Sequence, residues 1–405
     1  MIQLTSETIQ KLSNKYGDAF YIFNCDEFEE NYQDIEETFR KFYSNYQICY
    51  SYKTNYTPAI CKCVKDLGGY AEVVSDMEYA LALKLGYSPD KIVYNGPIKG
   101  SYLEHHLLAG GINNIDRIEE AQRVCRLARK HPQSRIKTGI RVNFDVEAGY
   151  TSRFGIDIDE LGEIIEMLKS AHVEVNGIHC HMSRARGIDA WKLRASTMLN
   201  LVKHYKLVDL DYISLGSGMY GKMDPELQIQ FPADAPTYYE YAKIVVSQFA
   251  EFYKNAKKKP ILFTEPGTTL VSKYVDFLGK VIGIKSIRNK EFVLLNCSFH
   301  NLGETCQMKN LPIRVFHVGE VPKEMNDATF VGYTCLEQDV LYRNYYGKIA
   351  VDDYVLFGNV GGYSLVDKPP FIIPNCPMIV LSKGNTRIIK RQEQMEDVFS
   401  TFIYD

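Results

Sequence analysis

Residues 47–58 read Gln47-Ile48-Cys49-Tyr50-Ser51-Tyr52-Lys53-Thr54-Asn55-Tyr56-Thr57-Pro58 and carry the first strand pattern of a long α/β region. Ile48, Tyr50 and Tyr52 alternate with other residues, which is the period of a β-strand that turns one face to a core. Lys53 ends this strand, and a helix pattern follows over Ala59–Leu67. A strand, a loop, a helix and a second strand form the unit in which α/β enzymes present reactive residues. A lone lysine at a strand end is usually a solvated loop residue, so its role depends on the rest of the chain.

Strand and helix patterns alternate from this stretch to residue 265. Eight strands are predicted there, at Ile48–Tyr52, Ala71–Ser75, Ile92–Asn95, Ile112–Ile115, Thr138–Asn143, Glu174–His181, Tyr212–Gly216 and Ile261–Glu265. Helix patterns separate them, at Met77–Leu85, Ile118–Lys130, Ile158–Ala171, Ala190–Tyr205 and Tyr238–Lys254. Eight repeats match a closed (β/α)8 barrel, and a doubly wound open sheet is the structural alternative. The number of repeats favours the closed barrel.

The pattern changes after Gly267, where short β-rich segments with turn residues replace the helices. The predicted strands there are Val271–Phe277, Val281–Ser286, Phe292–Cys297, Ile313–Phe316, Thr329–Tyr333, Tyr354–Phe357 and Met378–Leu381, followed by a helix over Gln392–Phe399. Near the N-terminus, Tyr21–Phe23 predicts a strand that pairs into this part, and Asp26–Phe42 predicts an amphipathic helix.

The predicted fold class is therefore α/β plus all-β. The predicted domains are an N-terminal segment of the β domain at 1–35, a (β/α)8 TIM barrel at 36–270, and a C-terminal β-barrel or sandwich at 271–405.

The composition is that of an ordinary globular chain of one or two domains, with 45% apolar and 24% charged residues in 405. A net charge of -3 gives no reason to expect nucleic acid or an anionic membrane as a partner. No signal peptide is predicted, and no apolar run approaches membrane-spanning length. The 10 cysteines form no paired Cys-x-x-Cys sets, so neither a metal site nor a disulfide framework is predicted. Reduced thiols are typical of a cytoplasmic protein.

Several unusual residues follow the predicted barrel strands, at the end where barrel enzymes carry their chemistry. They are Lys53, Arg141, His179, His181, Gly216-Ser217-Gly218 and Glu265-Pro266-Gly267. Singly, His181 is compatible with a hydrogen-bonded core histidine, the glycine turn with a plain turn, and Glu265 with a surface acid. Together they suit one ligand that has a phosphate for the turn, an aldehyde for the lysine, a ring for the histidine and a protonated ring nitrogen for the glutamate. Pyridoxal phosphate has these groups.

Seven short motifs then carry a family resemblance. They are Tyr50-Ser51-Tyr52-Lys53-Thr54-Asn55, Ser152-Arg153-Phe154-Gly155, His179-Cys180-His181, Gly216-Ser217-Gly218, Glu265-Pro266-Gly267, Cys335-Leu336-Glu337-Gln338-Asp339 and Gly362-Tyr363. In order and spacing the chain resembles the fold-type III pyridoxal-phosphate decarboxylases, the family of ornithine and diaminopimelate decarboxylases. The resemblance covers nearly the whole chain. It implies an alanine racemase-like barrel with a β domain, an amino-acid substrate, and a homodimer with shared active sites.

The resemblance also implies residue roles. Lys53 is expected to form the Schiff base, His181 to stack on the cofactor ring, and Cys335 of the partner subunit to return a proton after carbon dioxide leaves. Expected cofactor contacts are Lys53, Arg141, His181, Arg184, Gly216, Ser217, Gly218, Glu265, Gly267, Thr268 and Tyr363. Expected substrate contacts are Cys335, Leu336, Glu337, Asp339 and His300.

The chain departs from the family pattern in three segments. Thr268 stands where an arginine usually contacts phosphate, and Ser183-Arg184 replaces Gly-Ser. Arg184 is therefore expected either to replace the missing arginine or to bind a substrate carboxylate. Leu336 stands where an acid usually reads the distal amine of the substrate. Leu336 therefore predicts a substrate whose distal group is larger or not cationic, unless Glu337 binds an ordinary distal amine.

A finer resemblance points to less common substrates. The segments Phe299–Glu304 and Asn310–Ile313 resemble a branch that acts on siderophore precursors or carrier-tethered amino acids. Three alternatives stay open beside it: an ordinary ornithine, lysine or diaminopimelate decarboxylase, an amino-acid racemase of the same fold, and a non-catalytic regulator. The presence of Lys53, Glu265 and Cys335 argues against the regulator.

Overall fold

The computed structural model describes residues 4–232, 234–319 and 321–404. The chain forms two compact units. The barrel unit comprises Asn31–Tyr220 and Asp234–Thr269, and the β unit comprises Met1–Glu30, Gly221–Ala233 and Leu270–Asp405. The first observed boundary thus lies before the predicted residue 35, inside one continuous helix. The short return to the β unit after Tyr220 has no counterpart in the predicted domains, because no change of composition marks it.

The strands are numbered in chain order over the described residues. They are β1 Phe20–Asn24, β2 Tyr46–Ser51, β3 Tyr70–Val73, β4 Ile92–Tyr94, β5 Ile112–Ile115, β6 Lys137–Asn143, β7 Ile156–Asp157, β8 Glu174–His179, β9 Tyr212–Ser214, β10 Ile261–Thr264, β11 Val275–Ile287, β12 Lys290–Leu295, β13 Ile313–Phe316, β14 Lys323–Val331, β15 Val340–Ile349, β16 Tyr354–Phe357, β17 Met378–Ser382 and β18 Asn385–Lys390.

The helices are numbered in the same way. They are α1 Ser6–Tyr16, α2 Cys25–Arg40, α3 Pro58–Asp66, α4 Asp76–Lys84, α5 Tyr102–Leu108, α6 Ile118–Lys130, α7 Leu161–Ser170, α8 Ile188–His204, α9 Pro225–Gln228, α10 Tyr238–Tyr241, α11 Ser247–Phe252, α12 Thr268–Val271, α13 Phe299–Leu302, α14 Glu304–Met308 and α15 Met395–Phe399. Short 3-10 turns lie at Tyr52–Thr54, Pro89–Lys91 and Ser272–Tyr274, and a π-helical turn at Ala242–Val246 joins α10 to α11.

The barrel unit is a closed parallel barrel. Its strands follow the order β5, β4, β3, β2, β10, β9, β8, β6, and a β5–β6 pairing closes the ring. Each neighbouring pair is parallel, so all carboxyl ends meet on one rim. The predicted (β/α)8 barrel is therefore confirmed.

One aromatic ring fills part of the barrel interior. Tyr212 is buried at the start of β9. At Gly139 and at Gly177, a side chain would run into the Tyr212 ring. Because interiors are close-packed, the two glycines leave the room that this ring occupies.

The β unit contains a mixed sheet. Its main path is β15, β14, β12, β11, β1, β17, β18, and β16 joins it through β11. The N-terminal strand β1 lies between β11 and β17, with Tyr21 opposite Phe277 on one side and Met378 on the other. The prediction that this strand pairs into the β domain is confirmed. The helix α1 packs Ile9 and Leu12 into the hydrophobic core of this unit.

Several predicted elements differ in detail. Residues 268–274 form α12 and a 3-10 turn instead of the start of a strand, and β11 then runs unbroken to Ile287. The sixth barrel strand ends at His179, so His181 lies beyond it. The strands β15 and β18 and the helix α1 were not predicted. Over the described residues, no helix has both the length and the apolar character needed to cross a membrane.

Candidate active site

A buried carboxylate holds the first-strand lysine. Lys53 lies in the 3-10 turn that follows β2, and its Nζ donates to Oε2 of Glu72 at 2.5 Å. The same oxygen accepts a hydrogen bond from Ser51 Oγ at 2.6 Å, and Asn95 Nδ2 donates to Oε1 at 3.1 Å. Glu72 is only 1% exposed, whereas the Lys53 side chain is 31% exposed. The amine is therefore held at the strand end yet stays accessible.

Glu265 follows β10 and is also buried. Its Oε2 pairs with Nε2 of His179 at 3.0 Å, and its Oε1 accepts from Ser214 Oγ at 2.7 Å. Burial acts to raise the pKa of Glu265, but the facing His179 and the charge of Lys53 hold it below its usual value. The carboxylate is therefore ionised at neutral pH, with both oxygens fixed in direction.

His181 lies two residues beyond the end of β8. Burial, followed by the charges of Arg141 and Lys53, holds its pKa well below the usual value, so the imidazole is neutral at pH 7. Its Nδ1 accepts the backbone N–H of Ser217 at 3.1 Å. The ring proton of the neutral form is therefore on Nε2.

The glycine turn after β9 packs against this histidine. Gly216 and Gly218 have φ angles of 61° and 95°, which favour glycine. A side chain at Gly216 would meet the backbone of Cys180 and the side chain of His181, and one at Gly218 would meet the carbonyl of Met182. The turn therefore needs glycine for its conformation and for its close packing.

Arg141 is buried and also contacts the His181 loop. It donates to Oδ1 of Asp116 at 3.2 Å and to the carbonyl of His181 at 3.4 Å, and its guanidinium lies 4.8 Å from the centre of the Phe154 ring. The Phe154 ring of the predicted motif thus lies against Arg141, and Arg141 in turn holds the loop that carries His181.

Three further predicted cofactor contacts lie in the barrel unit. Gly267 is buried, and a side chain there would collide with Thr54 beside Lys53. Thr268 is half-buried at the start of α12. Arg184 is exposed, with its guanidinium 5.8 Å from the Tyr150 ring. It lines a pocket of about 590 Å³ together with Arg186 and Lys192.

The remaining predicted residues lie in the β unit. Cys335 is the exposed residue among the ten cysteines, and Leu336 is half-buried beside the exposed Glu337. Buried Asp339 accepts hydrogen bonds from the backbone N–H groups of Phe299 at 2.8 Å and Thr334 at 3.0 Å.

Asp339 thereby ties the Cys335 loop to the short helix that carries His300. Its Oδ2 also accepts the Thr334 hydroxyl at 2.6 Å, so Oδ2 holds the loop while Oδ1 holds the helix through Phe299. Tyr363 is half-buried, and its carbonyl lies against Gly303 at the end of that helix. These residues of the β unit therefore form one connected region.

Sequence reasoning missed several residues of the barrel site, namely Glu72, Asn95, Asp116, Ser214 and Arg194. A charged residue inside the apolar strand Tyr70–Val73 was the available signal for Glu72. For Arg194, the available signal was an arginine among the apolar residues of the α8 helix pattern. The other three are ordinary polar residues whose importance comes only from their partners.

The profile of the family described as "Pyridoxal-dependent decarboxylase, pyridoxal binding domain" matches residues 26–272, more than half of the chain. The chain belongs to this family of pyridoxal-dependent decarboxylases. It is 24% identical to diaminopimelate decarboxylase from Aquifex aeolicus over 96% of this chain and 92% of that protein. It is 25% identical to the enzyme of that name from Campylobacter jejuni over 96% of both chains.

Solved structures of pyridoxal-dependent decarboxylases share the fold. Diaminopimelate decarboxylase from Methanocaldococcus jannaschii superposes with a TM-score of 0.83 at 23% identity, over 98% of this chain and 94% of that one. Lysine decarboxylase from Selenomonas ruminantium gives 0.76 at 20% identity, over 94% and 97%.

The predicted family, enzyme class and cofactor are confirmed: the protein is an amino-acid decarboxylase that uses pyridoxal phosphate. The barrel residues fit that cofactor. A glycine turn without room for side chains, an ionised buried carboxylate, a neutral imidazole and an accessible amine all occur at the carboxyl ends of the strands.

Proposed function

We propose that this decarboxylase removes the α-carboxylate of an amino acid whose distal end is larger than that of ornithine or lysine, or is not cationic. Leu336, which follows Cys335, carries this proposal. A leucine offers no partner to an ammonium group, and an unpaired buried charge is costly. An acylated, citryl-linked or carrier-tethered amino acid meets the requirement, which agrees with the resemblance to the branch that acts on siderophore precursors or carrier-tethered amino acids.

Residues of the barrel unit, together with Tyr363 of the β unit, would hold the cofactor. When bound, pyridoxal phosphate supplies the electron sink for the bond that breaks. Lys53 would bind it covalently through Nζ, and the turn at 216–218, with Gly267, Thr268 and Tyr363, would bind its phosphate. The ionised state of Glu265 supports a role in holding a proton on the ring nitrogen. The neutral state of His181 supports stacking against the ring without charge repulsion.

Cys335 is the proposed proton donor after carbon dioxide leaves. Its exposure supports access to a site, and the Asp339 contacts support a fixed position for its loop. We infer that Cys335 reaches the site of a partner subunit in a homodimer. His300, on the helix tied to this loop, is the proposed further substrate contact.

Arg184 is the proposed contact for an anionic part of the substrate. Its exposure and its pocket with Arg186 and Lys192 support binding of a ligand that arrives from solvent. An arginine can bind a carboxylate through two parallel hydrogen bonds.

Diaminopimelate is the second candidate substrate, because several relatives are diaminopimelate decarboxylases. Its distal carboxylate suits Arg184, and its distal ammonium would require Glu337, which is exposed beside Leu336. Racemisation is the remaining alternative within the fold, and proton exchange at the α-carbon without carbon dioxide release would reveal it.

The test is kcat/KM for carbon dioxide release across ornithine, lysine, diaminopimelate and a set of acylated or citryl-linked derivatives. We expect a conjugate to exceed every free amino acid. In the variant Leu336→Glu the order should shift towards the free diamino acids, because the new carboxylate pairs with their ammonium group.

Glu337→Gln is the matched control for this test. If Leu336 sets the preference, Glu337→Gln should leave the substrate order unchanged. A high kcat/KM for free diaminopimelate that falls in Glu337→Gln would overturn the proposal. It would show that Glu337 binds the distal amine.

A further inference from the structure

Arg194 joins the two backbone segments that form one side of the candidate cofactor site. It lies in α8 and is 0% exposed. One terminal nitrogen, Nη1, donates to the carbonyls of Leu215 at 3.0 Å and Ser217 at 2.8 Å. The other, Nη2, donates to the carbonyls of Met182 at 3.0 Å and Ala185 at 3.2 Å. A single side chain thus links the glycine turn to the loop that follows His181.

The contact with Ser217 sets the direction of one backbone N–H group. In a planar trans peptide the C=O and the next N–H point in opposite directions. Holding the Ser217 carbonyl on Arg194 therefore turns the N–H of Gly218 away from Arg194. Within the described chain, this N–H has no hydrogen-bond partner. It is available to an anion on the other side of the turn.

The charge of Arg194 has no carboxylate partner either. Among the described residues its contacts are the four carbonyls and the Trp191 ring, which lies 4.4 Å from the guanidinium. A buried cation without a counter-ion is unusual, because such charges are normally paired. An anion bound at the glycine turn would lie one peptide away and supply the missing charge.

We propose that Arg194 is a positioning residue for the cofactor phosphate. It aims the Gly218 N–H at the phosphate and balances phosphate charge through the turn, in place of the arginine that the family pattern has at Thr268. The exposed Arg184 is then available to bind an anionic part of the substrate. This inference rests on the proposed binding of phosphate at residues 216–218.

The test compares two ligands that differ only in the phosphate. Apoenzyme is prepared from the holoenzyme, and its affinity for pyridoxal phosphate and for pyridoxal is measured by spectroscopic titration. The wild type should prefer the phosphorylated ligand. In Arg194→Gln the affinity for pyridoxal phosphate should fall by roughly 10- to 100-fold, the effect of losing a charge-assisted contact, while the affinity for pyridoxal stays nearly constant.

Arg123→Gln is the matched control. Arg123 also holds a loop of the barrel by two carbonyls, those of Lys99 at 2.9 Å and Gly100 at 2.8 Å. Its replacement should leave the ratio of the two affinities unchanged. Arg194→Lys keeps the charge but has fewer donors in a fixed plane, so its ratio should lie between those of wild type and Arg194→Gln.

The outcomes separate the possible explanations. An equal loss for both ligands, or no loss, in Arg194→Gln would overturn the proposal and leave Arg194 a structural support. If Arg194→Gln does not fold, an unchanged ratio in Arg194→Lys would overturn it instead. A wild type with no preference for the phosphorylated ligand would show that the turn does not bind phosphate, which contradicts the proposed function itself.

Discussion

At the scale of single residues, the site combines opposite charges at short range. Lys53 contacts Glu72 directly, and its charge also acts on Glu265 and His181. Each carboxylate is fixed by neutral donors as well, Ser51 for Glu72 and Ser214 for Glu265. Buried charges persist when they are paired and hydrogen-bonded. This arrangement keeps an amine and an acid in defined positions before any ligand binds.

Lys53→Ala should abolish covalent binding of the cofactor. The variant has no amine at this position, so the visible absorption of the holoenzyme should be lost. Lys62→Ala, which removes an exposed lysine of α3 paired with Asp66, should keep the absorption. Cofactor that remains attached to Lys53→Ala after borohydride reduction would identify a different lysine.

At the scale of elements, the strand β11 carries an unusual acid. Asp276 lies opposite Ile22 of β1 and lines a cavity of about 630 Å³ in the β unit. Burial is the main cause that raises its pKa, to about 7. Of the charges that face it, Arg314 and Lys273 lower the pKa, and Asp224 and Glu27 raise it. Within the described chain its carboxyl makes no hydrogen bond, so no donor stabilises the charged form against the effect of burial.

Asp276 should make stability depend on pH. The folded state holds this proton more tightly than the unfolded chain, in which the pKa of aspartate is about 4. The contribution to stability is therefore complete below about pH 4 and is lost as the pH rises through about 7. Asp276→Asn should be more stable than wild type at pH 8, on the order of 1 kcal/mol or a few degrees in Tm, with a smaller difference at pH 5.

Thermal unfolding at several pH values measures this effect. Glu226→Gln, an exposed acid that lines the same cavity, is the control and should follow the wild type. If Asp276→Asn kept the pH dependence of the wild type between pH 5 and 8, another group would be its source.

At the scale of the whole molecule, the proposed catalytic groups belong to different units. Lys53 lies in the barrel unit and Cys335 in the β unit. In a symmetric dimer with shared sites, one subunit supplies the lysine and the other the cysteine.

A mixture of two inactive variants should therefore recover activity. When Lys53→Ala and Cys335→Ala are mixed equally and exchange subunits, about half of the dimers are hybrids with one intact site each. The expected recovery is about a quarter of wild-type activity. Native mass spectrometry verifies the exchange. No recovery from verified hybrids would indicate that each site takes both groups from one chain.

The architecture follows from residue patterns along the chain. Eight apolar strand patterns separated by helix patterns predict the closed barrel, because each strand needs a helix to cover its outer face. The pattern of Tyr21–Phe23 also predicts the strand that joins the β unit. These features follow from periodicity, which is a local property. The return of residues 221–233 to the β unit is not local, and it was not predicted.

The hydrogen-bond and ion-pair partners within the site depend on the folded arrangement of the barrel. Glu72 pairs with Lys53 because β2 and β3 are adjacent and in parallel register, with Ser51 opposite Glu72. Arg194 reaches four carbonyls because α8 packs behind both the glycine turn and the His181 loop. Such contacts join residues that are far apart in the sequence. Barrel closure and strand register fix their distances, and residue patterns along the chain do not contain that information.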